Sequence, residues 1–325
     1  MNVLRVVFGS CAIAGLVAGC HKGPALDDHT AHMSSSDMAA PVAGAASGKQ
    51  GAPGLPASNS NAAARLAATP RHAEWVKVAW EPGSSDSLMA WVVYPTTSSA
   101  KTPVVVVVHE IFGLSTWVRG VADQVAADGF IAIAPDLVSR VRGGPTTEEL
   151  SGDSARKIIQ GVNTTERNKG IAAVARWAMS QPSAAPRYAV IGYCWGGSTV
   201  FIHAVNGGIN GFSGGVAFYG LPYMTNGALD RDSLAKITKP VMLLNGSKDA
   251  RIAAAMPALD STMKALKKNY SGTNYEGAVH GFLRAQNDPK TNGPRDEAEE
   301  AANLAATKDG WPKTVAFLKK NLGVK

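Results

Sequence analysis

The stretch Val190-Ile191-Gly192-Tyr193-Cys194-Trp195-Gly196-Gly197 holds the residue types for nucleophilic catalysis at a telling spacing. A short apolar run over 188–191 suits a buried strand, and residues 197–205 behind it have the spacing of a buried helix. In the pattern G-x-S-x-G the nucleophile sits on a sharp strand-to-helix turn, and glycines two residues either side make room for the tight backbone. Here Cys194 takes the serine's place. A free cysteine is often no more than a small buried hydrophobe. The flanking glycines and the partners found elsewhere in the chain set this one apart.

A thiol attacks as its thiolate, so a base must stand beside it, and imidazole is the usual choice. His280 is the candidate, in the loop Glu276-Gly277-Ala278-Val279-His280-Gly281-Phe282 just after a strand. His109, at another strand end, competes with it. A carboxylate should fix the tautomer of the base and stabilise its cation. Asp249 fits, directly after the apolar segment 241–245, and Asp136 also follows a strand. Chain order favours Asp249, because Cys194, Asp249, His280 is the nucleophile, acid, histidine order of α/β-hydrolases. The chemistry expected is thiolate attack on an ester or lactone carbonyl, with the charge held by N–H donors. Water activated at His280 then hydrolyses the thioester.

The elements that must position these groups alternate between strand and helix. Residues 75–80 and 88–94 read as two early strands at an antiparallel edge, joined by a turn at Glu81-Pro82-Gly83. The valine run over 103–108 has the composition of a strand buried on both faces, and a helix follows over 117–126. Further strands are expected at 130–134, 215–218, 241–245 and around 273–275, and helices at 166–180, 253–267, 295–305 and 313–321. Residues 140–160 are polar, broken by Gly143-Gly144-Pro145, and expected to be irregular with a short helix. The pattern predicts an α/β fold of the α/β-hydrolase type, a mostly parallel central sheet with helices on both faces and its site at the strands' C-terminal ends.

The chain of 325 residues is 45% hydrophobic and 18% charged, ordinary globular composition for one domain of about 250 residues once its ends are set aside. A formal charge of +7 comes without a basic run or an RNA-binding signature, so nucleic acid is not an expected partner. Residues 1–19 and Cys20 resemble a bacterial lipoprotein signal: Arg5, a short apolar run, then Leu16-Val17-Ala18-Gly19-Cys20. The run is too short to span a bilayer. The resemblance implies cleavage before Cys20, lipidation of that residue, and a lipid-anchored protein of the cell envelope facing the periplasm. Cys11 leaves with the signal and Cys20 carries the lipid, so Cys194 is the mature chain's free thiol and no internal disulfide is expected. Residues 20–72, rich in Ala, Gly, Ser and Pro, read as a flexible tether to a folded domain over 73–325. Asp27, Asp28, His29, His32 and Met33 could loosely bind a metal, although they lack the regular spacing of a structural site. No metal or cofactor is expected.

Two motifs together, Gly192-Tyr193-Cys194-Trp195-Gly196-Gly197 and Glu110-Ile111-Phe112-Gly113, resemble those of the dienelactone hydrolases. The likeness takes in Ala134-Pro135-Asp136-Leu137, Asp249 and His280 and spans about 75–323. By that resemblance Cys194, His280 and Asp249 form the triad, and the backbone N–H groups of Ile111 and Trp195 form the oxyanion hole. The resemblance also implies that Glu110 hydrogen-bonds the resting thiol and helps to generate the thiolate. An arginine at the spacing of Arg284 would hold a substrate carboxylate, so a small ester or lactone bearing a carboxylate is the expected partner. Gly281 departs from the family, which has serine after the histidine, and one member of an expected arginine pair has no counterpart. A competing reading is a catalytically silent envelope lipoprotein that binds a small ligand in the same pocket. A thiol redox protein is disfavoured, because no resolving cysteine is left.

Overall fold

The computed structural model describes residues 52–324 except 98–100, 147–149, 151, 291–293 and 295. The signal segment, Cys20, the metal-binding candidates and the first part of the expected tether lie outside the described residues.

Eight strands form the central sheet: β1 (Ala73–Ala79), β2 (Ser87–Val93), β3 (Thr102–Val108), β4 (Ile131–Pro135), β5 (Ala184–Tyr193), β6 (Phe212–Phe218), and, after the short hairpin β7 (Met224–Thr225) and β8 (Ala228–Leu229), β9 (Val241–Gly246) and β10 (Tyr270–Tyr275). Their order is β1-β2-β4-β3-β5-β6-β9-β10. The first two pairings, β1 with β2 and β2 with β4, are antiparallel, and the others are parallel. This is the α/β-hydrolase fold, with the antiparallel edge where the sequence placed it. Val104 to Val108 of β3 are fully buried, as a strand covered on both faces must be.

The helices are α1 (Ala62–Ala67), α2 (Thr116–Ala127), α3 (Ser139–Arg142), α4 (Gly152–Ile159), α5 (Thr164–Met179), α6 (Trp195–Val205), α7 (Arg231–Leu234), α8 (Ala250–Ala265), α9 (Phe282–Ala285) and α10 (Glu297–Leu322). α2 and α10 cover one face, linked where Trp311 Nε1 donates to Asp128 Oδ2 at 3.0 Å, while α5 and α6 pack together on the other. The start of α5 is fixed by a capping box between Asn163 and Glu166.

Two expectations change. The helices expected at 295–305 and 313–321 are one helix, α10, with Pro312 inside it. An interior proline removes one backbone hydrogen bond, but Trp311, Thr314 and Leu318 are buried on the sheet side and hold the axis through that break. The tether does not extend to residue 72. Leu55, Ala57 and Ala62 are buried, Gly120 of α2 faces Ala57 and Ala62, and Trp117 Nε1 donates to Ala57 O at 2.9 Å. Composition misled here because small residues bury little area each yet permit close backbone approach, and hydrogen bonds anchor this segment.

Trp117→Phe tests that docking. It keeps a ring against Tyr193 but leaves the buried Ala57 carbonyl without its donor, a loss of about 1–3 kcal/mol. The urea midpoint should fall with little change in m; an unchanged midpoint would show that 55–60 is not docked in solution.

Candidate active site

β5 ends at Tyr193 and α6 begins at Trp195, so Cys194 alone makes the turn between them. Its backbone sits at φ 55°, ψ −118°, a region that L-residues avoid. Two hydrogen bonds hold it: Cys194 N donates to Phe218 O at 3.0 Å, and Ser198 N donates to Cys194 O at 3.1 Å. The glycines leave room for backbone. A methyl group on Gly192 would run into the Gly196 carbonyl, one on Gly196 into the carbonyls of Val108 and His109, and one on Gly197 would come within 2.6 Å of Phe218 O.

Asp249 opens α8, and its two carboxylate oxygens do separate work. Oδ1 accepts from Ile252 N at 3.4 Å, capping the helix, and Oδ2 pairs with His280 Nδ1 at 2.6 Å. The Asp249 and His280 side chains are 8% and 7% exposed. Among the described residues no group makes a well-formed hydrogen bond to the buried His280 Nε2, yet Cys194 acts on the ring by charge and by side-chain contact. Burial disfavours the imidazolium, but the Cys194 and Asp249 groups outweigh it and push the ring up to about 10.

The two competitors have structural duties. His109 is fully buried, its Nε2 accepts from Leu137 N at 3.1 Å, and Nδ1 therefore carries the proton and donates to Glu110 O at 2.5 Å. Burial pushes it below the usual histidine range. Such a ring is neutral and has no nitrogen left for a thiol. Asp136 accepts from Thr146 N at 2.5 Å and Thr146 Oγ1 at 3.1 Å, pinning Thr146 against Gly113, where φ is 78°.

Glu110, Ile111, Phe112 and Gly113 form the turn after β3, closed by Gly113 N donating to Glu110 O at 3.3 Å. Ile111 is buried in that turn, and Trp195 is the first residue of α6, where a helix leaves N–H groups without intrahelical acceptors. The Trp195 indole stacks on the His109 ring at 5.5 Å and has the Arg167 guanidinium over it at 4.2 Å. Glu110 Oε2 stands 3.4 Å from Arg284 Nη1, where the resemblance implied a contact with the resting thiol. Arg284, on α9, also lies over the Phe112 ring at 5.2 Å.

Sequence reasoning missed Tyr219. It follows β6 with φ 37°, its ring meets the His280 ring edge-on at 5.0 Å, and burial followed by the charges of Glu110 and Cys194 pushes its phenol well up. The sequence signal was there: Phe218-Tyr219-Gly220 ends an apolar strand, at the sheet edge where ligands bind. A surface depression beside Lys77, Met89, Arg140 and Pro145 holds none of these groups. The site itself is nearly closed. Cys194 is 6% exposed and the Arg284 side chain, at 15%, is the most open of the reactive set.

The family model described as the dienelactone hydrolase family matches residues 88–322. A Salmonella typhimurium protein assigned as a carboxymethylenebutenolidase is 25% identical over 250 residues, covering 75% of this chain and 87% of its own. A Bradyrhizobium protein assigned as a 2-oxo-3-(5-oxofuran-2-ylidene)propanoate lactonase is 26% identical over 259 residues, covering 77% and 94%. A crystal structure assigned as a dienelactone hydrolase from Klebsiella pneumoniae superposes with TM-score 0.59 at 23% identity, covering 77% of this chain and 99% of that one.

The imidazole sets a pH test. Histidine ordinarily titrates at 6.5 and His280 at about 10. Below 6.5 folded and unfolded chains both hold the proton, and the full stabilisation is present. Between 6.5 and 10 only the folded ring holds it, so the ring's contribution falls progressively as the pH rises. His280→Gln should therefore lose less stability between pH 7 and 9 than the unaltered chain, read from urea midpoints. Equal losses would show that His280 is not held cationic.

Proposed function

Because the chain belongs to the dienelactone hydrolase family, we propose that it hydrolyses a small ester or lactone through a Cys194, His280 and Asp249 triad. The observation that carries this reading is the placing of His280, joined to Asp249 at 2.6 Å and acting on the thiol of a strained turn. Cys194 thiolate attacks the carbonyl carbon, and the oxygen that gains charge lies against the N–H groups of Ile111 and Trp195. The His280 imidazolium gives its proton to the departing alkoxide as the C–O bond breaks. Neutral His280 then takes a proton from water as its oxygen attacks the thioester, the C–S bond breaks to release the acid, and the thiolate–imidazolium pair is restored. Asp249 keeps Nδ1–H in place throughout, so that Nε2 faces the reaction.

Glu110 and Arg284 give the pocket its selectivity. A guanidinium offers five donors, so Arg284 can hold a substrate carboxylate while it keeps Glu110. The relatives named for lactones with carboxylate groups support this. The lipobox at Cys20 supports anchoring at the cell envelope by an N-terminal lipid; Cys20→Ser should then move the protein from the membrane fraction to the soluble one with its turnover unchanged.

Cys194→Ala should abolish hydrolysis of a p-nitrophenyl ester and the covalent acyl adduct seen by intact mass, while leaving the fold unchanged. His280→Ala should lose nearly as much, because members of such a unit act together. An active Cys194→Ala would sink the mechanism, and absence of turnover in the unaltered chain would favour a silent binder. Arg284→Ala should lower kcat/KM for a carboxylate-bearing ester by roughly 10- to 150-fold, the worth of one charge-assisted contact. A neutral ester of equal size should barely change.

A further inference from the structure

The helix that carries Arg284 is too short to hold itself. α9 has four residues, Phe282–Ala285, well below the length at which a helix persists alone. It ends at Gln286, which has φ 45° and ψ −125° and is 2% exposed. A non-glycine residue keeps such a backbone only where its surroundings over-determine it.

Those surroundings come from the other end of the chain. Asn59 N donates to the carbonyl of Arg284 itself at 2.9 Å. Gln286 Nε2 donates to Pro56 O at 3.0 Å and to Leu283 O at 3.1 Å. Asp288, just past the strained residue, accepts from Ser58 Oγ at 3.0 Å and Ser60 Oγ at 2.7 Å on one oxygen, and from Ser60 N at 2.9 Å on the other. The same segment is tied to α2 through Ala57 and Trp117. It precedes residue 88, where the family match begins.

We propose that residues 55–60 are a clamp that positions Arg284, so that this N-terminal segment sets the enzyme's preference for anionic substrates. The inference rests on Arg284 as the carboxylate's partner. The clamp fixes where the guanidinium's stem leaves the backbone; Glu110 and Phe112 fix where its head lies. Loosening the stem leaves the charge in place but spreads the head over several positions, and a bound carboxylate must then order it. That cost enters the binding of anionic substrate and not the chemical step.

The test compares Asp288→Ala, the double variant Ser58→Ala/Ser60→Ala, the conservative Ser60→Thr and the reference Arg284→Ala, all in the full chain. For each, kcat and KM are measured on a carboxylate-bearing ester and on a neutral ester of equal size, with Tm alongside. Asp288→Ala and the double variant should raise KM for the anionic ester on the order of 10-fold, with kcat and the neutral ester little changed. Ser60→Thr, which keeps the hydroxyl, should behave as the unaltered chain. A fall in Tm with equal losses on both esters would overturn the inference, since it would show only general support. Selectivity lost in Arg284→Ala but kept in the clamp variants would overturn it while leaving Arg284 as the carboxylate's partner. Selectivity unmoved in all variants would overturn both.

Discussion

The strained backbone of Cys194 is the constraint that the surrounding elements are arranged to hold. Holding a non-glycine residue at φ 55° and ψ −118° is worth about 1–3 kcal/mol of strain, and the strain is maintained by what surrounds it. β5 and α6 approach so closely that Gly192 faces the Gly196 carbonyl, and Gly197 lies beside Gly220 and the end of β6. Each contact is backbone against backbone, so no side chain can yield to relieve it. The parallel pairings on both sides of β5, with β3 and β6, hold the strand that delivers the turn. The sheet order therefore matters to the site as a clamp on one residue and not only as a core.

Around that turn the site sorts its charges by giving each a fixed neighbour. Asp249 faces His280, which faces the thiol, and Arg284 faces Glu110. Tyr193 and Tyr219 are buried beside them, pushed up by that burial and then by Glu110, so both phenols stay neutral in the working range. Unpaired charge in so dry a place would be costly. Pairing lets one pocket hold two carboxylates, a guanidinium and an imidazolium. Trp195 is held in a second way, its indole stacked on the neutral His109 ring with the cationic Arg167 guanidinium over it.

What the sequence disclosed follows from how local each signal is. The valine run of β3, the glycines around Cys194 and the placing of Asp249 and His280 after strands are short-range patterns, legible because backbone geometry admits few residue types there. The choice between His109 and His280 needed the structure, since both follow strands and only the hydrogen bonds of His109 to Leu137 and Glu110 reveal it as scaffold. Chain order had set Asp136 aside, and its bonds to Thr146 give it a structural duty. Tyr219 was passed over because a tyrosine at a strand end is common, and its meaning lies in rings and charges from four other segments. The segment 52–72 was misjudged because its attachment depends on partners far along the chain, which no local window contains. The helices expected at 295–305 and 313–321 were kept apart for a related reason: what keeps α10 whole through Pro312 is the buried face around Trp311.

The contact between Ser58 and Asp288 joins residues 230 positions apart. Closing so long a loop costs entropy that nothing returns until both ends are present. During synthesis the first of these residues leaves the ribosome long before the second exists, and Asp249 and His280 also follow Cys194. On the proposed triad, the thiol is thus made first and stays unassisted while His280, Asp249 and the segment's anchor are still to come. If that triad is the site, a nascent or truncated chain carries the thiol without its partners, and hydrolytic competence arrives as a late event of folding.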